Sequence, residues 1–179
     1  LFGNWLYAKD SLDATVTNYM VDIRHDIILS TVRQCPQHTF LFLTKAPWNL
    51  PQWNPWPDNA WVGASVTDDA SMTTALMGLS WVNAKVRWLS IEPLLGAILP
   101  WGRKSHPLKG FAEWIIIGAA SGPGAKLPRR EWVIEIVNAA DKAGIPIWIK
   151  RNLRKLYPEL PAREELQTDP RLTEGRRYN

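Results

Sequence analysis

Five short apolar runs, spaced along most of the chain, constrain its fold more than any other feature of the sequence. They are rich in β-branched and aromatic residues, as strands are. The runs are TFLFLTK (39–45), AWVGASV (60–66), VRWLSI (86–91), EWIIIGAAS (113–121) and IPIWIK (145–150). Helical patterns or long crossovers separate them, which predicts a parallel sheet in an α/β domain. Because the runs are apolar throughout, both faces of the sheet should be covered, either in a doubly wound open sheet or in part of a (β/α) TIM-like barrel.

Three of the intervening segments have the pattern of helices. Apolar residues recur at helical spacing over residues 12–34. Either Asp68 or Asp69 can cap a helix that runs through Leu79. The amphipathic segment RREWVIEIVNAADKAG (129–144) predicts a third helix, with its last glycine as the stop signal.

The remaining segments are predicted to be irregular. The loop 46–59 contains four prolines, which exclude regular structure. Residues 94–112 are predicted to form a loop that can include a short helix. We therefore predict a partial barrel domain over residues 1–152 and an irregular or weakly helical tail over residues 153–179.

Composition excludes several classes of protein. Cys35 is the only cysteine, so neither an internal disulfide nor a cysteine metal cage is possible, and a reducing, cytoplasmic setting is expected. The histidines (His25, His38 and His106) lack metal-ligand spacing, and we predict no metal site in this chain. No apolar stretch reaches the roughly 18 residues of a membrane-spanning helix, so no membrane association is expected.

Each predicted strand ends in polar or charged residues. In a parallel sheet the carboxyl ends of the strands share one edge, where ligands bind in both candidate architectures. The predicted catalytic residues at this edge are Lys45, Glu92 and Lys150, and Ser65 and Ser121 are predicted ligand-binding residues. Glu92 closes its strand, and its carboxylate can act as a base, hold a ligand or pair with either lysine.

The stretch ASGPGAK (120–126) is the other candidate binding element. Gly122 and Gly124 permit a tight turn with exposed backbone N–H groups, and Ser121 adds a hydroxyl. Such a turn, leading to a helix N-terminus, can bind a phosphate or carboxylate, although it matches neither the P-loop nor the GxGxxG pattern. A plain strand-to-helix turn is the alternative.

Five sequence blocks, taken in order, resemble an uncharacterised family of phage and bacterial proteins that is related to radical S-adenosylmethionine enzymes. The blocks are PQHTFLFLTKAP, NAWVGASV, VRWLSIEPLLG, WIIIGAASGPGAK and GIPIWIK, which together cover about residues 36–152. The resemblance implies a (β/α) barrel with Lys45, Ser65, Glu92, Ser121 and Lys150 at its mouth. It also implies, for a full-length relative, a three-cysteine segment that holds an iron–sulfur cluster with S-adenosylmethionine on it.

This sequence departs from that family pattern. The three-cysteine segment is absent, and the first residue is Leu1 rather than Met, so we expect the chain to be the carboxyl-terminal part of a longer protein, inactive alone and without a cofactor of its own. Alanines occupy positions 46 and 120, where the family has a basic residue and a glutamate. Arg151 and Asn152 replace the Gln-Trp pair expected after Lys150.

Two other functions stay open. The first is a non-catalytic module that binds a phosphate- or nucleotide-like ligand at the strand ends. The second is a nucleic-acid-associated phage protein that uses Trp48, Trp53 and Trp56 for stacking, together with the basic tail, where residues 150–179 carry eight Lys/Arg against five Asp/Glu. The substrate cannot be read from the sequence. A partial barrel would leave strand edges exposed. We therefore expect the chain to pair with another copy, to cover these edges with its termini, or to belong to a larger assembly.

Overall fold

A computed structural model of the chain describes residues 25–98 and 110–164. Five strands form one parallel sheet, and each strand pairs with its neighbours in sequence, in the order β1-β2-β3-β4-β5. The strands are β1 (Phe40–Thr44), β2 (Ala60–Val66), β3 (Val86–Ile91), β4 (Trp114–Ile117) and β5 (Ile147–Ile149). The prediction of a five-stranded parallel sheet in an α/β fold is therefore confirmed.

Helices lie between and after the strands. They are α1 (residues 25–34), the 3-10 helix η1 (Pro47–Trp53), α2 (Asp69–Ser80), α3 (Arg130–Ala143) and α4 (Arg151–Leu156). The predicted helix stop at Gly144 is confirmed, since this residue has the left-handed φ of 68° that a side chain disfavours. None of the described helices is long and apolar enough to cross a bilayer.

Two local predictions differ from the structure. The proline-rich loop contains η1, because Pro47 occupies a first-turn position, where a helix needs no N–H donor. The expected boundary at residue 152 falls inside α4, and the fully buried Leu153 belongs to the core of the same domain. The predictions for residues 12–24, 99–109 and 165–179 lie outside the described residues.

One face of the sheet packs against all the described α-helices. The core there combines alternate strand residues such as Val62 and Ile91 with Leu29 of α1, Met72 of α2 and Ile136 of α3. A doubly wound sheet would carry helices on both faces. Since β1 and β5 are the two edges, the described sheet is not closed, and the described residues do not form a complete barrel.

The opposite face carries a row of tryptophans. We call it the tryptophan face, after Trp61 of β2, Trp88 of β3, Trp114 of β4 and Trp148 of β5. The Trp114 ring centroid lies 5.9 Å from that of Trp61 and 5.7 Å from that of Trp88. The Trp88 indole N–H donates to the carbonyl of Trp61 at 3.2 Å. The sheet therefore has an aromatic layer on the face that none of the described α-helices covers.

The two edges of the sheet differ. At β5, Trp148 forms an antiparallel bridge with Glu164, and the Ile149 N–H donates to the carbonyl of Arg163. The chain therefore covers part of this edge itself. At β1, Leu41 and Leu43 point to the tryptophan face and are 54% and 41% exposed.

Candidate functional site

Strand alternation places five polar residues on the tryptophan face at the carboxyl ends of the strands. Ser65 and Ser90 are register partners in β2 and β3. Glu92 follows Ser90 by two residues and so lies on the same face. Lys45 and Lys150 directly follow β1 and β5, each two residues after a side chain of the tryptophan face. We call Lys45, Ser65, Ser90, Glu92 and Lys150 the polar rim. The strand-end residues predicted from the sequence thus lie on one face, apart from Ser121.

An ion pair crosses the polar rim. The Lys150 ammonium donates to the Glu92 carboxylate, although β4 lies between their strands. The pair remains accessible, because the Lys150 side chain is 43% exposed and that of Glu92 is 25% exposed. Of the two lysines predicted as possible partners of Glu92, Lys150 forms the ion pair. The two side chains meet above the end of β4.

Gly118 makes room for this ion pair. It follows β4, and a Cβ atom added to it would lie 2.7 Å from Oε1 of Glu92 and 3.0 Å from its Cδ. Gly118 is held at the sheet by its N–H, which donates to the carbonyl of Ile91 at 3.0 Å. The missing side chain at position 118 therefore lets the Glu92 carboxylate reach across β4.

The other members of the polar rim differ in exposure. Lys45 is exposed, and it makes no ion pair with any residue in the described ranges. Ser65 is half-buried, whereas Ser90 is only 6% exposed. Within the described residues, the rim thus offers one cation without an ion pair, one paired cation and two hydroxyls at different depths.

Ser121 lies beside α4 and not within the polar rim. The Asn152 side-chain amide donates to the carbonyl of Ala119 at 2.6 Å and to the Ser121 hydroxyl at 3.3 Å. Its oxygen accepts from the Ala119 N–H at 3.4 Å. Asn152 therefore fixes the chain that leaves β4, a role for which the local sequence contains no signal.

The SGPGA stretch forms an exposed turn. Ser121, Gly122 and Gly124 are all exposed, and the Ala125 N–H donates to the carbonyl of Gly122 at 3.3 Å. Residues 126–129 separate this turn from the first residue of α3. The turn therefore leads to the N-terminus of α3 through a four-residue connection, and anion binding by the turn stays a prediction.

Asp68, which also lies at the carboxyl ends of the strands, caps the amino end of α2. Its carboxylate accepts from the Ser71 N–H at 2.9 Å and from the Ser71 hydroxyl at 2.7 Å. The Ser71 hydroxyl oxygen in turn accepts from the Asp68 N–H at 3.0 Å, which completes a capping box. These hydrogen bonds, led by that from the Ser71 backbone, lower the pKa of Asp68.

The described residues contain no group of three His, Cys, Asp or Glu side chains that could hold a metal ion. Cys35 lies in the segment between α1 and β1, at the amino end of the sheet. It therefore lies at the opposite end of the strands from the polar rim.

Some of the groups that suggested nucleic-acid binding make contacts within the described residues. Trp53 and Trp56 stack with centroids 5.7 Å apart and pack on the core, which leaves Trp48 exposed. In the tail, Arg154 pairs with Glu164, and Arg163 pairs with Asp141. Nucleic-acid binding by the tail and by the tryptophan loop stays a prediction.

Comparison with protein families identifies the chain. A family model described as "Protein of unknown function (DUF5131)" matches residues 8–179, so the chain belongs to that family. No curated protein matches it. No solved structure matches it either. The membership agrees with the resemblance to an uncharacterised family, and it assigns no activity to any residue.

Proposed function

We propose that the chain is part of a radical S-adenosylmethionine-like (β/α) barrel protein of phage or prophage type, and that its polar rim binds an anionic ligand. The strand order supports the barrel relationship, because successive parallel strands are neighbours throughout the sheet and the described α-helices pack on one face only. The resemblance of the five sequence blocks supports the family relationship.

The residues of this chain do not fit an iron–sulfur cluster. Its single cysteine, Cys35, is at the edge of the sheet opposite to the polar rim, and a three-cysteine cluster would require residues from outside this sequence. We therefore assign no radical step to the chain. What its own residues provide is a binding surface at the carboxyl ends of the strands.

The Glu92–Lys150 ion pair is the observation that carries the binding proposal. Two lysines against one glutamate leave the polar rim with a positive balance, and Lys45 has no ion-pair partner among the described residues. The hydroxyls of Ser65 and Ser90 add hydrogen-bond donors on the same face. A carboxylate or phosphate group fits this combination of charge and donors.

Glu92 has a defined role in this proposal. Without ligand, it holds the Lys150 ammonium above Gly118. An anionic ligand competes with the Glu92 carboxylate for that ammonium. Replacing Glu92 by glutamine should therefore strengthen ligand binding, whereas loss of Lys150 should weaken it.

Calorimetric titration with ribose 5-phosphate and with S-adenosylmethionine tests the proposal. Lys150→Met should weaken binding roughly tenfold to hundredfold, the range expected for a charged hydrogen bond. Lys85→Met is the matched control, since Lys85 pairs with Asp58 at the amino edge of the sheet. Equal effects of the two lysine variants, or weaker binding by Glu92→Gln, would reject an anion site at the polar rim.

Gly118→Ala provides a further test of the ion pair. The added Cβ atom would displace the end of the flexible Glu92 side chain and not a backbone atom, so the fold should tolerate it. We expect this variant to free Lys150 and to strengthen anion binding, as Glu92→Gln does, with little change in melting temperature. Unchanged affinity would show that the ion pair does not control access to Lys150.

A further inference from the structure

We infer that Trp148 is an aromatic platform beneath the polar rim, and that the ligand is an aromatic heterocycle with an anionic group. Trp148 is half-buried, whereas Trp61, Trp88 and Trp114 are only 7%, 4% and 4% exposed. Among the described tryptophans of this face, Trp148 therefore keeps the most surface for a ligand.

Trp148 lies in the row directly below the rim charges. It precedes Lys150 by two residues, so both point to the same face about 7 Å apart along the strand. Its register partner on β4 is the half-buried Ile116, and Ile116 pairs in turn with Ser90 of β3. The floor below the ion pair is thus apolar and aromatic on the β4–β5 side, and it becomes polar toward Ser90.

This arrangement selects for two features in one ligand. A planar ring can stack on the Trp148 indole. An attached carboxylate or phosphate can then reach the ammonium of Lys150, which lies two residues further along the same face. A bare anion would use only the lysine, and a neutral ring would use only the tryptophan. Nucleoside monophosphates combine both groups. The inference rests on the proposed anion site, to which it adds the ring.

Paired ligands separate the two parts of the site. Adenosine 5′-monophosphate and ribose 5-phosphate share the phosphate and differ in the base. We expect the nucleotide to bind the unaltered chain about 5- to 100-fold more tightly, the range that stacking on one aromatic side chain provides. The nucleotide, but not ribose 5-phosphate, should also quench tryptophan fluorescence.

Variants assign the preference to Trp148. Trp148→Leu should abolish the advantage of the nucleotide and leave ribose 5-phosphate affinity unchanged, while Trp148→Phe should retain most of the advantage. Trp81→Leu is the control, because Trp81 follows α2 and is 75% exposed. Circular dichroism of each variant shows whether the fold is retained, and the fluorescence titration of the unaltered chain tests the inference without any variant.

The outcomes distinguish this inference from the proposed function. Equal affinity for the two ligands, or a nucleotide preference that survives Trp148→Leu, overturns the platform, even if Lys150→Met still weakens ribose 5-phosphate binding. A nucleotide preference that depends on Trp148, together with affinities for both ligands that Lys150→Met leaves unchanged, upholds the platform and rejects the anion site. Absence of binding by both ligands overturns both.

Discussion

Asn59 shows how one buried polar side chain can join several segments. It is 4% exposed, and its amide nitrogen donates to the carbonyls of Val32, Cys35 and His38 at 2.8, 3.0 and 3.1 Å. These carbonyls belong to the end of α1 and the connection to β1. A single residue before β2 therefore adds a side-chain donor to carbonyls at the end of α1 and in the connection to β1.

We expect Asn59→Ala to lower the free energy of unfolding by about 1–3 kcal/mol, because the hydrogen bonds of the buried Asn59 amide to the three carbonyls are lost. Asn59→Asp should cost more, since a carboxylate would face the same carbonyl oxygens. Urea denaturation measures both, and Asn83→Ala is the control, because the Asn83 side chain is exposed. A mild effect of Asn59→Asp would contradict this view of the site.

The capping box of α2 makes a pH-dependent contribution. The folded pKa of Asp68 lies below its ordinary value of 3.8, because Ser71 donates hydrogen bonds to the ionised form. The stabilisation is therefore fully present above pH 3.8 and is lost as the pH falls through the lower folded pKa. The stability advantage over Asp68→Asn, measured by urea denaturation, should shrink as the pH falls below about 4.

Ser71→Ala provides the control for the capping box. Because the two residues act through one another, the effects of Asp68→Ala and Ser71→Ala should be less than additive in the double variant. Each single change should cost about 1 kcal/mol at neutral pH, as loss of an N-cap does. Full additivity would show that the residues stabilise α2 independently.

At the scale of elements, η1 and α2 depend on close approach at Gly78. A Cβ atom added there would lie 2.6 Å from the backbone carbonyl of Pro47. A Gly→Ala change inside a helix normally stabilises it by about 1 kcal/mol. Here we expect Gly78→Ala to destabilise the protein by roughly 1–3 kcal/mol, because backbone atoms must move.

The control for Gly78 is Thr73→Ala on the exposed side of the same helix. This change raises helix propensity without a steric conflict, so it should be neutral or stabilising. Thermal unfolding compares the two variants. A stabilising Gly78→Ala would show that η1 can shift away from α2 at little cost.

The elements that could be predicted from sequence are those with a strong local pattern. The bounds of β2 and β3 match the predicted apolar runs, and α3 ends at the glycine that its sequence indicates. η1 could not be predicted from the four prolines alone, because their effect depends on their positions within the helix. α4 is short, and the burial of Leu153 in the core, which local sequence does not encode, contributes to its stability.

The same distinction applies to the candidate site. Glu92 and Lys150 could be predicted because apolar runs end at them, and parallel pairing brings such ends together. Gly118 and Asn152 could not, since their roles depend on contacts with residues 26 and 33 positions away along the chain. Ser121 lies apart from the polar rim, where it accepts a hydrogen bond from Asn152.

At the scale of the whole molecule, the edge at β1 is the point of weakness. Leu41 and Leu43 are exposed there, and in the described residues β1 pairs with β2 alone. An apolar edge strand can pair with another chain. We expect Leu41→Lys with Leu43→Lys to reduce concentration-dependent self-association, measured by analytical ultracentrifugation, without lowering the melting temperature.

Trp81→Lys is the control for this prediction, since Trp81 is equally apolar and more exposed but lies on the helical side of the sheet. It should leave self-association unchanged. A large loss of stability in the double leucine variant would show that the β1 side of the tryptophan face is covered in solution.

The sequential order of the strands has a consequence for how the chain acquires its structure. Each described strand after β1 pairs with the strand before it in sequence, so pairing among these five strands does not wait for a segment made much later. During synthesis on the ribosome, each new helix and strand can dock onto the edge that the preceding unit has just formed. Such local connectivity shortens the loops that folding must close, so this sheet can assemble progressively from its amino-terminal end.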